Sequence, residues 1–206
     1  MDLSELSRRF RRAVRGILGN SLLSGRVVQF DYPARVVRFL PRALPPENAL
    51  PNGWAGHLTL PFHNEDCVQI NGVTINGRHV RANIDTGSNS AFAITPRAIQ
   101  DLGLTEQAHR TGLASGASFN GVFQSRVGTV DQITIGTIRV PHPKVTFWTP
   151  GTGHDNTPWG INIGNVFLQH YVVTFDYERK LITLDKPQNR GNRSHLHAPK
   201  ITTTAR

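Results

Sequence analysis

Ala82-Asn83-Ile84-Asp85-Thr86-Gly87-Ser88 is the stretch on which the reading of this chain turns. The residues before it, His79 to Ile84, have the composition of a strand. That strand runs into a carboxylate, a small hydroxyl, a glycine and a second hydroxyl. A strand end fixes the aspartate in place. Gly87 leaves room for another backbone or a water to come close. Thr86 and Ser88 carry hydroxyls able to hold the loop and the carboxylate in one orientation. The arrangement suits a carboxylate that takes or gives a proton. The same triplet also occurs as an ordinary turn after an edge strand, so the surrounding chain has to decide.

Around this loop the chain reads as short strands separated by turns. His57–Leu60, Val68–Ile70, Val73–Ile75, His79–Ile84, Ala91–Ile94, Val122–Val130, Gln132–Ile135, Val145–Phe147, Val172–Phe175 and Leu181–Leu184 are expected to be extended. Asn71-Gly72 and Asn76-Gly77 are both hairpin-turn dipeptides. Two helices are expected, Pro96–Leu102 closed by Gly103 and a short one at Val166–Gln169. Farther out, residues 3–18 place Leu6, Phe10, Ala13, Val14 and Ile17 at helical spacing with arginines mostly opposite, which predicts an amphipathic helix. Val27–Phe30 and Val36–Phe39 read as a hairpin.

A shift of 145 residues aligns two segments without a gap. Gly19 to Phe39 faces Gly164 to Leu184, with eight of 21 positions identical. One supersecondary unit therefore closes near residue 40 and again near residue 185. The second copy has a long lead-in from residue 55 and the first has almost none. The expected organisation is 1–46 as the C-terminal remnant of a first lobe with the start of a Pro-rich linker, 47–186 as a complete lobe, and 187–206 as a disordered basic tail.

The formal net charge is +9, which by itself suggests nucleic-acid binding. Its distribution argues otherwise. Residues 1–46 hold nine arginines against three acids, and residues 186–206 hold five basic residues and no acid. Residues 47–185 hold nine basic and eleven acidic residues, so the expected folded lobe is mildly acidic. Nucleic acid is not an expected partner. The single cysteine, Cys67, excludes an intrachain disulfide and a Cys-based zinc site. No apolar run is long enough for a membrane helix. His63, His79, His109, His142, His154 and His170 form neither a nucleophile-elbow nor an HExxH pattern.

These features together resemble the retropepsin-like aspartic proteases of bacterial type, over about residues 56–186. Asn76-Gly77 and an apolar strand into Ile84-Asp85-Thr86-Gly87-Ser88 resemble the first half of that fold. Ala91–Pro96 with a helix ending at Leu102-Gly103-Leu104 resembles the segment after the catalytic loop. Ile161–Leu168 resembles the apolar-Gly-x-x-x-Leu motif before the last helix, and Phe175-Asp176-Tyr177 with Leu181–Leu184 the closing hairpin. Gly16-Ile17-Leu18-Gly19-Asn20 repeats the closing motif near the amino terminus.

The resemblance implies an all-β, closed-barrel lobe with one or two short helices, acting as an aspartic endopeptidase on polypeptide substrates without metal or organic cofactor. It implies that Asp85 is catalytic and that Thr86, Gly87 and Ser88 support the loop, Thr86 bonding across to a facing loop and Ser88 supporting the outer carboxylate oxygen. It places a flap at Thr111–Gly121, with Gly112, Gly116 and Gly121. No aromatic at a fixed flap position is evident there. The family pairs two Asp-Thr-Gly loops, and this chain has one. Asp31 and Asp176 read as turn residues of the repeated hairpin. The second aspartate is expected either from a homodimer partner or from a first lobe, whose aspartate the shift places about 60 residues ahead of Met1. A rival reading keeps the fold as a non-catalytic peptide-binding or dimerisation module.

Overall fold

A computed structural model describes residues 3, 4, 7, 8, 11–40, 54–64, 66–118 and 121–187. The expected linker at 41–53 lies outside these residues, as does the expected tail at 187–206 apart from Pro187, which ends the last strand. The chain is all-β with a few short helices. In chain order the elements are α1 (Asn20–Leu23), β1 (Val27–Asp31), β2 (Val36–Leu40), β3 (Trp54–Asn64), β4 (Val68–Ile75), β5 (Arg78–Asp85), β6 (Phe92–Ile94), α2 (Pro96–Asp101), α3 (Thr105–His109), β7 (Gly112–Ser118), β8 (Gly121–Thr129), β9 (Gln132–Ile135), β10 (Ile138–Pro141), β11 (Lys144–Trp148), β12 (Ile161–Gly164), α4 (Asn165–Leu168), β13 (Val172–Asp176) and β14 (Leu181–Pro187).

Hydrogen bonds link the strands in the order β2-β1-β13-β14-β3-β4-β5-β12-β6-β11-β8-β7, with β9 branching from β4 and carrying β10. The all-β fold with short helices is the one expected, and among the described residues these pairings do not close into a barrel. The pairings form an open, branched path with β2 and β7 at its ends. The branch arises inside β4, where the register shifts between Ile70 and Val73. Asn71-Gly72 is therefore a bulge within one strand, with Gly72 at φ +77°, and not the hairpin turn expected of it. The bulge bends β4 so that its second half also pairs with β9. Asn76-Gly77 is the expected turn, with both residues at positive φ, joining β4 to β5.

The core gathers Ile70, Ile75, Ile94, Ile133, Ile135, Ile161, Ile163, Leu168, Ile182 and Leu184, all essentially inaccessible. Burying each such side chain contributes about 1.5–3 kcal/mol before entropy is counted. The central strand β12 is buried along its whole length because it runs parallel to β5 on one side and antiparallel to β6 on the other.

The two copies of the repeat meet. Strand β1 pairs antiparallel with β13, and Gln29 lies opposite Thr174. Those two residues are counterparts under the 145-residue shift, so a local two-fold axis passes between them. Gln29 Nε2 donates to Thr174 Oγ1 across it at 3.1 Å. The hairpin turns match as well, with Arg35 and Lys180 both at φ +56°. Asp31 accepts from the Ala34 amide, and Asp176 from the Glu178 and Arg179 amides. Both aspartates serve their turns.

The expected helix at 3–18 is the clearest correction. Residues 4, 7 and 8 are helical, but Arg11 has φ +50° and residues 13–19 are irregular. The Val14 amide donates to Ser7 Oγ at 2.9 Å, folding the chain back on itself. Gly16, Gly19 and β-branched Val14 and Ile17 oppose helix in the second half.

Candidate active site

Asp85 ends β5 where that strand runs beside β12, with Gly164 as its register partner. The period of two puts Asn83 and Asp85 on one face, opposite Asn162 and Gly164. Asn83 Nδ2 donates to Asn162 Oδ1 at 2.6 Å, and Asn162 Nδ2 reaches Asp85 Oδ2 at 3.4 Å. The Gly87 amide donates to Asp85 Oδ1 at 2.9 Å. A Cβ on Gly87 would sit 3.2 Å from that oxygen, so the glycine keeps the approach to the carboxylate open.

Asn165 holds the loop from behind. Its Nδ2 donates to the Thr86 carbonyl at 2.5 Å, and its amide donates to the Ser88 carbonyl at 2.8 Å. Its Oδ1 accepts the Tyr32 hydroxyl at 2.5 Å. Tyr32 belongs to the first copy of the repeat, so residues from both copies brace one loop. Burial pushes the Tyr32 phenol up to about 12, and the nearby Asp85 carboxylate adds to the rise. Gly164 lets the loop close on β12. A Cβ there would lie 2.5 Å from the Ser90 carbonyl oxygen and 2.9 Å from Ser88 Cβ and Oγ.

Within this chain Thr86 and Ser88 take part in bonds inside and behind the loop. Ser88 Oγ pairs with Ser90 Oγ at 2.9 Å, and Asn162 Nδ2 lies 3.4 Å from Asp85 Oδ2. Thr86 contributes its carbonyl to Asn165. Asn162, Asn165 and Tyr32 are the site residues that local reading of the sequence did not single out as such. The signal for Asn165 was present, because Gly164-Asn165 and Gly19-Asn20 are counterparts in the repeat.

Beyond Asp85, residues Ala93, Trp148 and Trp159 form a small buried cluster, with Cys67 and Phe123 packed on it. His154 stacks on Trp148 with ring centroids 4.1 Å apart. Burial lowers the His154 pKa, against the raising pull of Asp85 and then of Asp155. Burial likewise pushes the Cys67 thiol up, which suits a packed residue more than a nucleophile.

Strands β7 and β8 form the glycine-rich hairpin expected as a flap, pairing Gly112 with Val127, Gly116 with Phe123, and Ser118 with Gly121. It does carry an aromatic. A Cβ on Gly116 would lie 2.4 Å from Phe123 Cζ, so the ring lies against the glycine across the hairpin. Phe123 lies two residues beyond Gly121, the end of the expected flap segment.

The segment holding the aspartate, the hairpin and the aromatic cluster matches the family model for aspartyl proteases over residues 72–161. Over that segment the chain is similar to the aspartyl proteases. Among solved structures, a retropepsin-like aspartic protease from Rickettsia conorii is similar over 63% of this chain and 99% of that chain, at 19% sequence identity and a TM-score of 0.48. No curated protein matches the chain in sequence. The matched segment contains Asp85, Thr86, Gly87 and Ser88 and ends at the first residue of β12. The closing elements follow it: α4, whose Asn165 clamps the loop, then β13 and β14.

Proposed function

We propose that this protein supplies one half of an aspartic endopeptidase site, with Asp85 as its catalytic carboxylate. The observation that carries the reading is the Asp85 loop itself. Its aspartate is held by the Gly87 amide and approached by Asn162, the backbone behind it is fixed by Asn165, and the space beside Gly87 is open. The second aspartate comes from an equivalent loop on a partner lobe, whether a second copy of the chain or a first lobe. Two carboxylates about 3 Å apart share one proton because both cannot ionise together. The ionised member takes a proton from water, and the oxygen of that water bonds to the peptide carbonyl carbon. The protonated member gives its proton to the carbonyl oxygen. Collapse of the tetrahedral intermediate breaks the C–N bond, and the amine leaves with a proton from the pair. The β7–β8 hairpin closes over the substrate and excludes water.

Cleavage of an unstructured protein from acid to neutral pH, wild type against Asp85→Asn, tests this reading in an assembly that holds two such loops, either a dimer of this chain or a chain carrying both lobes, verified by light scattering. Loss of cleavage in the variant supports it. Equal cleavage by both, or none by the wild type when paired, removes it.

A further inference from the structure

The two copies of the closing segment are alike in sequence and unlike in cover. Val37 is 53% exposed while its counterpart Ile182 is fully buried, and Phe39 is 56% exposed against 1% for Leu184. Leu18 is 70% exposed against 0% for Ile163. The reason lies in what each copy packs on. Strand β14 pairs with β3, through Ile182↔Leu60 and Leu184↔Leu58. Its counterpart β2 has one neighbour among the described residues, β1. Residues Ile161–Gly164 lie between β5 and β6. Their counterparts, 16–19, are irregular, and a Cβ on Gly16 or Gly19 would meet nothing within 4 Å. Asn165 uses both ends of its amide, whereas its counterpart Asn20 donates through Nδ2 to Asn64 Oδ1 and leaves its own Oδ1 buried without a hydrogen-bond partner.

We infer that residues 16–40 are the docking surface for a lobe built like residues 54–160 that lacks closing elements of its own. The local two-fold fixes the fit. The partner's equivalent of β3 pairs with β2, and its equivalents of β5 and β6 take residues 16–19 between them. A row of unpaired edge groups and exposed apolar side chains is then covered at one stroke. A second copy of this chain is not that partner. Its β3 is already paired with its own β14, and its β5 with its own β12. The lobe that docks brings its own β5 end beside Gly19, as Asp85 lies beside Gly164, and so brings the second catalytic loop. That last step rests on the protease reading, and the docking surface does not.

The test joins a second copy of residues 54–160 to Gly16 in place of residues 1–15, so that Gly16 follows Gly160 as Ile161 does in the native lobe. Hydrogen exchange is followed at residues 16–19 and 36–40 in the native chain and in the tandem chain. The expected result is a monomeric native chain with fast exchange at both segments, slowed about tenfold or more in the tandem chain. Unchanged exchange in the tandem chain overturns the inference. Dimerisation of the native chain with those segments protected overturns it too, since a second copy is then the occupant. The double variant Val37→Asp and Phe39→Asp gives an independent reading. It lowers the urea midpoint of the tandem chain and leaves that of the native chain in place, and equal effects on both contradict the docking surface. Protection without peptide cleavage keeps the docking surface and removes the protease reading.

Discussion

The Asn165 side chain donates to the Thr86 carbonyl at 2.5 Å, tying the start of α4 to the loop that presents Asp85. One amide thus couples the closing segment to the loop that carries the Asp85 carboxylate. Asn165→Ala removes that donor and leaves the Tyr32 hydroxyl without its acceptor. The expected cost is about 1–3 kcal/mol of stability, because a partner removed from a half-buried pair leaves the other group unsatisfied. Urea unfolding of the variant checks it, and an unchanged midpoint would show that the clamp carries no weight.

The repeat makes a paired prediction for two glycines. Gly164→Ala forces a methyl to within 2.5 Å of the Ser90 carbonyl oxygen. Relief requires the 85–90 loop or β12 to move, which costs about 1–3 kcal/mol. Gly19→Ala meets nothing within 4 Å and has ordinary backbone angles. Its expected effect in the native chain is within about 0.5 kcal/mol. Thermal melts of the two variants side by side separate a packed copy of the motif from an uncovered one.

The tyrosines set the alkaline limit. Burial pushes Tyr177 to about 12 and raises Tyr171, and Tyr32 reaches about 12 by burial with help from Asp85. Unfolded tyrosine ionises near 10. Between those values the unfolded chain gives up phenolic protons that the folded chain keeps, so stability is full below about pH 10 and falls as pH rises toward 12. Absorbance titration should show little tyrosinate at pH 10 in the folded protein. In Asp85→Asn, Tyr32 should titrate earlier while Tyr177 does not move.

His154 sets a limit at the acid side. Its folded pKa lies below the ordinary value near 6.5 because burial beside Trp148 and Trp159 disfavours the charged ring. As pH falls through that value the unfolded chain binds a proton that the folded chain resists, so stability drops. His154→Phe keeps a flat ring in the stack and should flatten the dependence between pH 7 and 5. Denaturation midpoints across that range, read by tryptophan fluorescence, decide it.

The parts of this molecule that were legible in sequence are those fixed by neighbours along the chain. Asp85-Thr86-Gly87 at a strand end, the Asn76-Gly77 turn and the repeated Phe-Asp-Tyr hairpin all depend on local chemistry, and each stands where it was read. Asn71-Gly72 carries the same local signal as Asn76-Gly77 yet forms a bulge, because β4 continues past it to reach β9. The helical period at 3–18 lost to Gly16 and to a serine that draws Val14 back. Asn162 and Tyr32 reach the loop from 77 positions after Asp85 and from 133 before Asn165, across sheet pairings that no short window contains. Phe123 escaped notice because its meaning comes from Gly116 on the opposite strand.

The most direct measurement counts aspartates. In the tandem chain each lobe carries its own Asp85, and replacing one, the other or both by asparagine gives four forms to compare on an unstructured protein substrate. Cleavage only when both carboxylates are present is the predicted result. Comparable cleavage by either single variant, or by the form with none, would contradict the claim that Asp85 is half of a shared catalytic pair.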